Sequence, residues 1–448
     1  MSFWFQSAKS TLTFRFILSI TILVSIGTFV YMSAVLSPFL YDDDHAIINN
    51  PYIQDLSKFQ EIVGIERVFS RSFLLLTYAL NLHLGGNQTF GFHLLNSALH
   101  ICTGILLFFL SWEFLKNENP EIKSRLKSLP LITSLIHILN PLNVESVVYI
   151  SSRSSLLATF FYLAVTLTFV RWKNDSTKNS SLVALVIFPS TCAFLLFFGF
   201  GSKAIIITVP IMLIIFLWIF DILHNWKNIF LTALLPLVFV FIYLGVKQYE
   251  SGHPTLQGIQ RFFNGNILSL RTDPSSIASN RLNYVFSQPV AIVYYYALKL
   301  IFPINLNFEP DFRLTSTFLN FKFLSSIIFI FITLAISLKL RSKIIKFGVI
   351  WVFVTLAPTS SFIPLKQIVT EHRLYLPAIG FCLVVGTIFL NTISFLKIKR
   401  LLLISILLLM SVLSINRSLD FKNEILIWKD VVKKSPKKLV AHNNLAIA

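Results

Sequence analysis

Three adjacent carboxylates interrupt a chain that otherwise carries few acids. Asp42, Asp43 and Asp44 lie in the stretch YDDDHAIINNPY, directly after a long apolar run. Three carboxylates at one helix end repel each other at neutral pH, and burial near lipid raises their pKa values, so something must compensate. One function is a general base at the membrane surface, which takes a proton from a hydroxyl nucleophile. A solvated loop is the alternative, since the Asn-Asn-Pro sequence at 49–51 is typical of a turn.

Arginines form a second group of chemically distinctive residues. Arg71, Arg153 and Arg373 each lie at the predicted mouth of an apolar segment, level with the aspartates. A guanidinium group is suited to forked recognition of phosphate, and Lys203 adds a further cation on the same side. Acids and several cations at one interface suggest a phosphorylated lipid substrate and a hydroxyl acceptor. Contact with anionic lipid headgroups is the simpler explanation of any single cation.

Polar residues inside apolar segments form a third group. His93, Asn96 and His100 are spaced so that they share one helix face, where interhelical hydrogen bonding is the simplest role. Glu145 is harder to explain in this way, because a carboxylate inside a span is costly unless it faces a polar cavity. We therefore expect Glu145 to be a second acid of the site.

Apolar helices must position these residues. The 448 residues are 55% hydrophobic and 13% charged, which excludes an ordinary soluble domain. Many apolar runs are long enough to cross a hydrocarbon core of roughly 30 Å as helices, so we expect an all-α polytopic membrane protein with about eleven transmembrane helices. The predicted spans are 13–36, 93–115, 129–149, 155–171, 181–200, 204–220, 229–246, 323–339, 347–363, 374–395 and 401–415. The shorter apolar piece at 290–302 contains Lys299, so we expect it to be interfacial or re-entrant.

The charge distribution predicts the orientation of these helices. The formal net charge is +18, and much of it lies in short loops between spans, so the positive-inside rule accounts for it better than a nucleic-acid partner does. If the N-terminus and the basic loops are cytoplasmic, the loops that carry the aspartates, the arginines and Lys203 lie on the opposite side. Independent loops that converge on one face are what a membrane-interface active site needs.

Several motifs follow one another in the order of a known family. They are YDDDHAIINNPYI, GFHLLNSALH, NPLNVESVVYISSRSSLLATFFYLA, GSKAIIITVPIMLIIFLWIFD, RLNYVFSQPVAIVYYYALKLIFPINLNFEPDF and EHRLYLPAIGF. In this order the chain resembles the transmembrane and tetratricopeptide-repeat O-mannosyltransferases, and YDDDHA is more distantly similar to an element of the protein O-mannosyltransferases. The resemblance implies a GT-C-type fold. It also implies transfer of a sugar, by default mannose, from a polyprenyl-phosphate donor to an acceptor hydroxyl, with inversion.

The resemblance assigns roles to individual residues. It makes Asp42 the catalytic base and Asp43 its partner. The residues expected to bind the donor phosphate are Arg71, Arg153 and Arg373. The other expected pocket residues are Asp44, His93, Glu145, Lys203, Glu371 and Tyr375.

Three positions depart from the family pattern. Ser155 stands where an acid is common, Ala204 replaces a glutamate, and Glu309 stands in for an aspartate. The departures leave the assignment of the aspartates intact and leave the donor sugar open.

The expected partners are a polyprenyl-phosphate sugar donor, an acceptor protein or glycan, and membrane lipids. No cofactor is expected, because an ionised phosphate is already a good leaving group and the sequence has no His/Cys ligand set; a divalent metal is left open. Frequent Phe, Ile, Leu and Lys favour a low-GC bacterium. We therefore expect an inner-membrane protein with a periplasmic active face, for which the endoplasmic reticulum membrane is the eukaryotic equivalent.

The C-terminal residues indicate a second region. Residues 416–448 contain a Trp-bearing amphipathic helix, a break at Pro436 and the sequence AHNNLAIA, which look like the start of an incomplete tetratricopeptide-like helix pair. We therefore expect a transmembrane glycosyltransferase domain at 1–415 followed by this region at 416–448. A plain amphipathic tail is the alternative.

Two other functions fit parts of the pattern. A secondary transporter would use Glu145, His93 and His100 as a proton or substrate path, although no convincing internal repeat is present and the acids cluster in loops. A membrane scaffold that presents repeats to partners is a further alternative, which a single incomplete repeat supports poorly.

Overall fold

The computed structural model describes residues 2–55, 71–174, 182–220, 274–315, 319–360, 365, 367–392 and 395–448. Every regular element within these ranges is helical, which confirms the all-α prediction. A helix satisfies its backbone hydrogen bonds within its own segment, as an apolar surrounding requires. The predicted span at 229–246 lies outside the described residues.

The α-helices are numbered in chain order. They are α1 (Ser2–Tyr31), α2 (Pro51–Gln54), α3 (Ser72–Gly85), α4 (Thr89–Lys116), α5 (Pro120–Arg125), α6 (Leu129–Leu139), α7 (Val144–Val148), α8 (Arg153–Asn174), α9 (Leu182–Phe200), α10 (Val209–Ile219), α11 (Pro274–Ala291), α12 (Leu298–Ile301), α13 (Phe321–Lys339), α14 (Lys343–Leu356), α15 (Pro377–Thr392), α16 (Leu396–Asp420), α17 (Glu424–Lys434) and α18 (Leu439–Ile447).

Among the described residues, five helical segments are long and apolar enough to cross a membrane. They are Thr13–Leu36, Thr89–Lys116, Ile150–Asn174, Phe321–Lys339 and Lys397–Asp420. A sixth results if the bent pair Leu129–Leu139 and Pro141–Val148 counts as one span. The chain is therefore an integral membrane protein of the all-α polytopic class. The total of about eleven spans stays a prediction.

The remaining predicted spans that fall on described residues correspond to helices that are not among these candidate membrane-spanning segments. These helices are α9, α10, α14 and α15. The stretch at 290–302 is not separated from the residues before it, because α11 continues through a π-helical segment, Ile292–Ala297, into α12. Its placement at the interface stays a prediction.

Helix α4 packs against α1, α6 and α8. A second tight pair is formed by α14 and α15, which cross at Gly348 and Gly380. A Cβ atom at Gly348 would lie 2.7 Å from the carbonyl oxygen of Gly380, so a side chain there would force the helices apart. Small residues at such crossings are typical of helix packing in membranes.

Two consecutive helix breaks shape one end of the bundle. After α6, the side chain of Asn140 accepts a hydrogen bond from the Leu142 amide at 3.1 Å, and Pro141 begins a short 3-10 turn. The two halves are bent by 52°. A second 3-10 turn, Ile150–Ser152, precedes α8. Asn96, near the start of α4, donates to the Val147 carbonyl at 3.1 Å, so both breaks lie beside the N-terminal part of α4.

The C-terminal helices pack back onto this same end. Asn423 caps α17 by accepting a hydrogen bond from the Ile425 amide at 2.8 Å. Trp428 on α17 is fully buried, and its ring lies 5.3 Å from that of Tyr41. Residues 424–447 therefore contact the segment that carries the aspartate triplet.

Candidate active site

Asp43 is a buried carboxylate that joins two distant segments. Its side chain is 1% exposed. One carboxylate oxygen accepts hydrogen bonds from the Ser151 amide, at 2.8 Å, and from the Ser151 hydroxyl, while the other accepts from the Leu40 amide at 2.9 Å. Burial raises the pKa of Asp43 to about 7, although these hydrogen bonds oppose the shift. The carboxyl group thus fastens the segment after α1 to the turn before α8.

Asp42 and Asp44 are exposed on either side of this anchor. The Asp42 amide donates to the Tyr149 hydroxyl at 3.2 Å, and Tyr41 before it has a left-handed backbone with φ of 48°. The backbone of Asp42 is therefore held while its side chain faces solvent. Within the described part of the chain, the Asp42 carboxylate takes part in no ion pair. Such a carboxylate is free to accept a proton.

A cationic pocket lies beside Ser155, four positions after the Ser151 that binds Asp43. The Lys203 ammonium donates to the Ser155 hydroxyl at 2.8 Å, and Ser155, Lys203, His372 and Arg373 line a narrow pocket. Burial, together with the charges of Arg71 and Arg373, lowers the pKa of Lys203 to about 7. These three cations therefore act on one another within a confined space.

A close approach of two backbones holds the segment that carries Arg71 near this pocket, although Arg71 does not line it. The Gly201 carbonyl accepts hydrogen bonds from the first amides of α3, Phe73 at 2.9 Å and Leu74 at 3.2 Å. A Cβ atom at Gly201 would lie 3.0 Å from that of Phe73, so glycine permits the contact. Arg71 directly precedes α3, is exposed, and has a left-handed backbone with φ of 65°. The start of α3 is thus fixed beside the turn that carries Lys203.

Buried Glu145 and half-buried His372 form a pair at the pocket. Glu145 Oε1 lies 2.6 Å from His372 Nδ1, and Glu145 is 3% exposed, so one proton lies between the two groups. Burial and the charges of Lys203, Arg373 and Arg71 hold the pKa of His372 well below its usual range. Oε2 of Glu145 has no hydrogen-bond partner among the described residues. The bend after α6 places Glu145 beside His372.

Glu371 precedes the two pocket residues His372 and Arg373 and holds their segment in place through hydrogen bonds. It is 1% exposed and accepts hydrogen bonds from the Asn307 amide at 2.8 Å and the Tyr295 hydroxyl at 3.0 Å. Burial raises its pKa to about 7, while the charge of Arg417 opposes the shift. Glu371 therefore ties the loop after α12 to the segment that carries His372 and Arg373.

Arg373 contributes charge to the pocket wall and is itself held by backbone. Its two terminal nitrogens donate to the carbonyls of Ile368, at 3.0 Å, and Gln367, at 2.8 Å. The guanidinium group is half-buried and its position is fixed.

The structure does not bring Arg153 to the pocket. Its guanidinium is fully buried and donates to the side chain of Asn96 at 2.7 Å and to the carbonyls of Thr77 and Phe92 at 3.2 and 3.1 Å. It also lies 4.8 Å from the centre of the Tyr78 ring. These contacts join α3, α4 and α8, and they occupy every nitrogen that a phosphate would need.

His93 and Tyr375 are likewise buried in the helix bundle. His93 Nε2 donates to the Ser37 carbonyl at 2.9 Å. The Tyr375 hydroxyl lies 2.6 Å from His100 Nδ1, and His100 Nε2 donates to the Ile138 carbonyl at 3.1 Å. Both residues are 1% exposed, so they do not line the pocket described above.

Arg417 is a residue of this region that the sequence patterns missed. It is 6% exposed and bridges Asp420 and Asp430 at 2.9 and 3.0 Å, while Nε and Nη2 have no hydrogen-bond partner among the described residues. The available signal was an arginine within an apolar helix, followed three positions later by an aspartate. Arg417 joins α16 to α17 and places a positive charge near Glu371.

Among the described residues, no group of three or more His, Cys, Asp or Glu side chains is arranged to hold a metal ion. The candidate site consists of an exposed carboxylate, a buried carboxylate anchor, a cationic pocket, and a Glu–His pair whose glutamate is buried.

The curated proteins to which this chain is similar include several protein O-mannosyl-transferases. No protein-family model matches the chain. Protein O-mannosyl-transferase F38B6.6 of Caenorhabditis elegans is 24% identical over 458 residues, which cover 95% of this chain and 59% of that protein. Human Protein O-mannosyl-transferase TMTC3 is 25% identical over 181 residues, or 38% of this chain and 19% of the relative. Human TMTC1 is 26% identical over 185 residues, or 37% and 20%. The chain thus spans less than two thirds of the length of these relatives.

Proposed function

We propose that this chain is a membrane glycosyltransferase that transfers mannose to a hydroxyl group of a protein. Its distant relationship to the protein O-mannosyl-transferases supports this proposal. The finer proposal is a GT-C-type enzyme that uses a polyprenyl-phosphate sugar as donor and inverts the anomeric carbon. The active face is extracytoplasmic, in a bacterial periplasm or in the lumen of the endoplasmic reticulum.

The observation that best supports this proposal is that the SSRSS sequence at 151–155 contacts both the acidic and the cationic part of the site. Ser151 binds the Asp43 carboxylate, and Ser155 binds the Lys203 ammonium. The two serines are four positions apart, so the acidic and cationic parts of the site lie about one helical turn, or roughly 6 Å, apart along the chain. Glycosyl transfer from a phosphate needs a base for the acceptor and cations for the leaving group, and this arrangement supplies both.

In the proposed reaction, Asp42 removes the proton of the acceptor hydroxyl as its oxygen bonds to the anomeric carbon. The bond between that carbon and the phosphate oxygen breaks, and its electron pair leaves with the phosphate. Arg71, Lys203 and Arg373 balance the additional negative charge on the phosphate. Because the phosphate is a good leaving group, no acid is needed to protonate it.

The other residues act by positioning. Asp43 holds the backbone on which Asp42 lies, and the Glu145–His372 pair shapes the wall of the pocket. We assign Arg153, His93 and Tyr375 to helix packing rather than to contact with substrate. Asp44 is exposed beside Asp42 and is assigned no proton-transfer role.

The C-terminal region is proposed to begin a helix-pair unit that is docked on the catalytic part. Lys434 donates to the Leu306 carbonyl at 2.6 Å, and Lys438 pairs with Glu309 at 2.6 Å. These contacts support docking of α17 and the residues after it against the loop that Glu371 holds. The boundary near residue 415 stays a proposal, because α16 continues to Asp420.

The proposal is tested with purified protein in detergent or nanodiscs. A panel of radiolabelled polyprenyl-phosphate sugars is incubated with a mixture of Ser/Thr peptides, and label in peptide is measured. We expect label from the mannosyl donor and none after substitution of the peptide hydroxyls. Failure of every donor to label any peptide, with folded protein and intact donor, would contradict the proposal.

A further inference from the structure

A groove at the opposite end of the bundle combines apolar walls with a cationic rim. It lies between α1, the C-terminal part of α4, α5 and the start of α6, and has a volume of about 720 Å³. This volume is within the range of roughly 300–1,000 Å³ that is usual for small-molecule sites. Phe108 and Trp112 of the groove lie 12 and 16 positions after Asn96, which contacts the Val147 carbonyl at the other end of α4, so roughly 18–24 Å of helix separates the groove from that end.

The walls of the groove are apolar and aromatic. Phe16 of α1 lies with its ring 4.9 Å from that of Trp112 and 5.9 Å from that of Phe108 on α4. Ile22 and Leu131 extend the apolar lining. Walls of this kind, formed by helices that span the membrane, accommodate acyl chains.

Four residues that line the groove are cationic and none is acidic. Lys116 pairs with Glu113 at 2.7 Å. Arg15, Lys123 and Lys127 are exposed and form no ion pair with any described residue. Three positive charges therefore face the groove without a protein counter-charge in the described part of the chain.

The acids nearby are engaged elsewhere. Glu113 also faces Arg171, at 3.6 Å. Glu118 is buried and accepts hydrogen bonds from the Ser342 hydroxyl and the Ile344 amide at 3.0 and 3.1 Å. Glu121 pairs with Arg125 at 3.4 Å. None of the three is available to neutralise the rim.

We propose that this groove binds one anionic phospholipid, with its phosphate headgroup at Arg15, Lys123 and Lys127 and an acyl chain along Phe16 and Trp112. Basic pockets between membrane helices attract anionic headgroups, and the apolar walls favour a lipid over a free anion. The inference is independent of glycosyl transfer, since it concerns the end of the bundle that lacks the catalytic residues.

Trp112 lines the groove, is half-buried, and reports on its occupant. The full chain is placed in nanodiscs that contain either brominated phosphatidylglycerol or brominated phosphatidylcholine, over the same series of increasing fractions, in an unlabelled zwitterionic background. Bromine quenches tryptophan fluorescence at short range. Subtraction of the quenching measured for Trp112→Phe isolates the signal of Trp112.

The expected result is half-maximal quenching of Trp112 at a much lower fraction of the anionic lipid. The variant Lys123→Gln/Lys127→Gln, which changes two exposed side chains, should weaken that preference by about tenfold or more, given roughly 1 kcal/mol for each cation near an anionic headgroup. Lys339→Gln/Lys397→Gln removes the same charge from two exposed positions outside the groove and should retain the preference.

Three results would overturn the proposal. Equal quenching by the two brominated lipids would show that the groove does not select anionic lipid. Full preference in Lys123→Gln/Lys127→Gln would show that these two lysines do not bind the headgroup. Equal loss in the control pair would show a general effect of surface charge rather than a site.

Discussion

Ser151 binds the Asp43 carboxylate through both its amide and its hydroxyl, across 108 positions of the chain. This contact joins the end of the first membrane helix to the turn that begins α8. Asp42 gains its position from this contact, because its own side chain is exposed and its backbone is held between Tyr149 and the buried Asp43.

Asp43→Asn should destabilise the protein at about pH 8, where the Asp43 carboxyl group is mostly ionised. The amide nitrogen of Asn would face a backbone donor, from either Leu40 or Ser151, and leave it unpaired. We expect a loss of about 1–3 kcal/mol in the free energy of unfolding, and about 1 kcal/mol for the matched control Ser151→Ala, which removes one hydroxyl contact. Thermal unfolding in detergent measures both, and an unchanged Asp43→Asn transition would contradict the anchor role.

Glu371→Gln should alter how stability depends on pH. The pKa of Glu371 is raised from 4.5 to about 7 by burial, so the folded state binds the proton more tightly than the unfolded state. The contribution of Glu371 to stability is therefore full below about pH 4.5 and is lost as the pH rises through about 7. Glutamine keeps an acceptor for the Asn307 amide and does not titrate.

The stability of Glu371→Gln relative to the parent protein should accordingly increase between about pH 5 and pH 7.5. Unfolding followed at several pH values gives this difference directly, and other titrating groups cancel in it. Parallel curves for the two proteins would show that Glu371 has an ordinary pKa in the folded state.

Arg153→Gln should lower stability, whereas Arg71→Gln should weaken use of the phosphate donor. Arg153 is fully buried and hydrogen-bonded to three partners, so its loss should lower the free energy of unfolding by about 3 kcal/mol or more. Arg71 is exposed, and its loss should leave stability within about 0.5 kcal/mol while it raises the KM for the phosphate donor. Unfolding and donor titrations distinguish the two, and a stable Arg153→Gln with weakened donor use would reverse the assignments.

The Glu145–His372 pair should show measurable coupling. Glu145→Ala, His372→Ala and the double variant form a cycle in which each single change removes the same contact of 2.6 Å. We expect a coupling energy of about 0.5–3 kcal/mol in unfolding. Additive effects would mean that the two side chains do not share a proton in the folded protein.

Local sequence patterns predicted the helices and the loops that meet at one end. Apolar length gave the long spans, and the cost of a carboxylate in an apolar segment singled out Glu145. The partner of Glu145 was not predictable, because His372 is 227 positions away and only the packing of α7 against the turn before α15 brings them together.

Arg153 shows a different limit of the sequence patterns. Its position at the mouth of a span is the same as that of Arg373, yet one guanidinium is enclosed by α3, α4 and α8 and the other lines the pocket. The acceptors that decide between these outcomes, such as the carbonyls of Thr77 and Phe92, have no signature in the sequence.

The most direct test of the proposed chemistry compares Asp42→Asn with Asp44→Asn. Both residues are exposed carboxylates of the same triplet, so each change removes one charge from the same surface, and only Asp42 is assigned to proton removal. The measurement is single-turnover transfer of labelled mannose from the polyprenyl-phosphate donor to a peptide, with donor binding determined in parallel. The account predicts that Asp42→Asn abolishes transfer while it retains donor binding, and that Asp44→Asn transfers at a rate near that of the parent. Transfer by Asp42→Asn at the parent rate would contradict it.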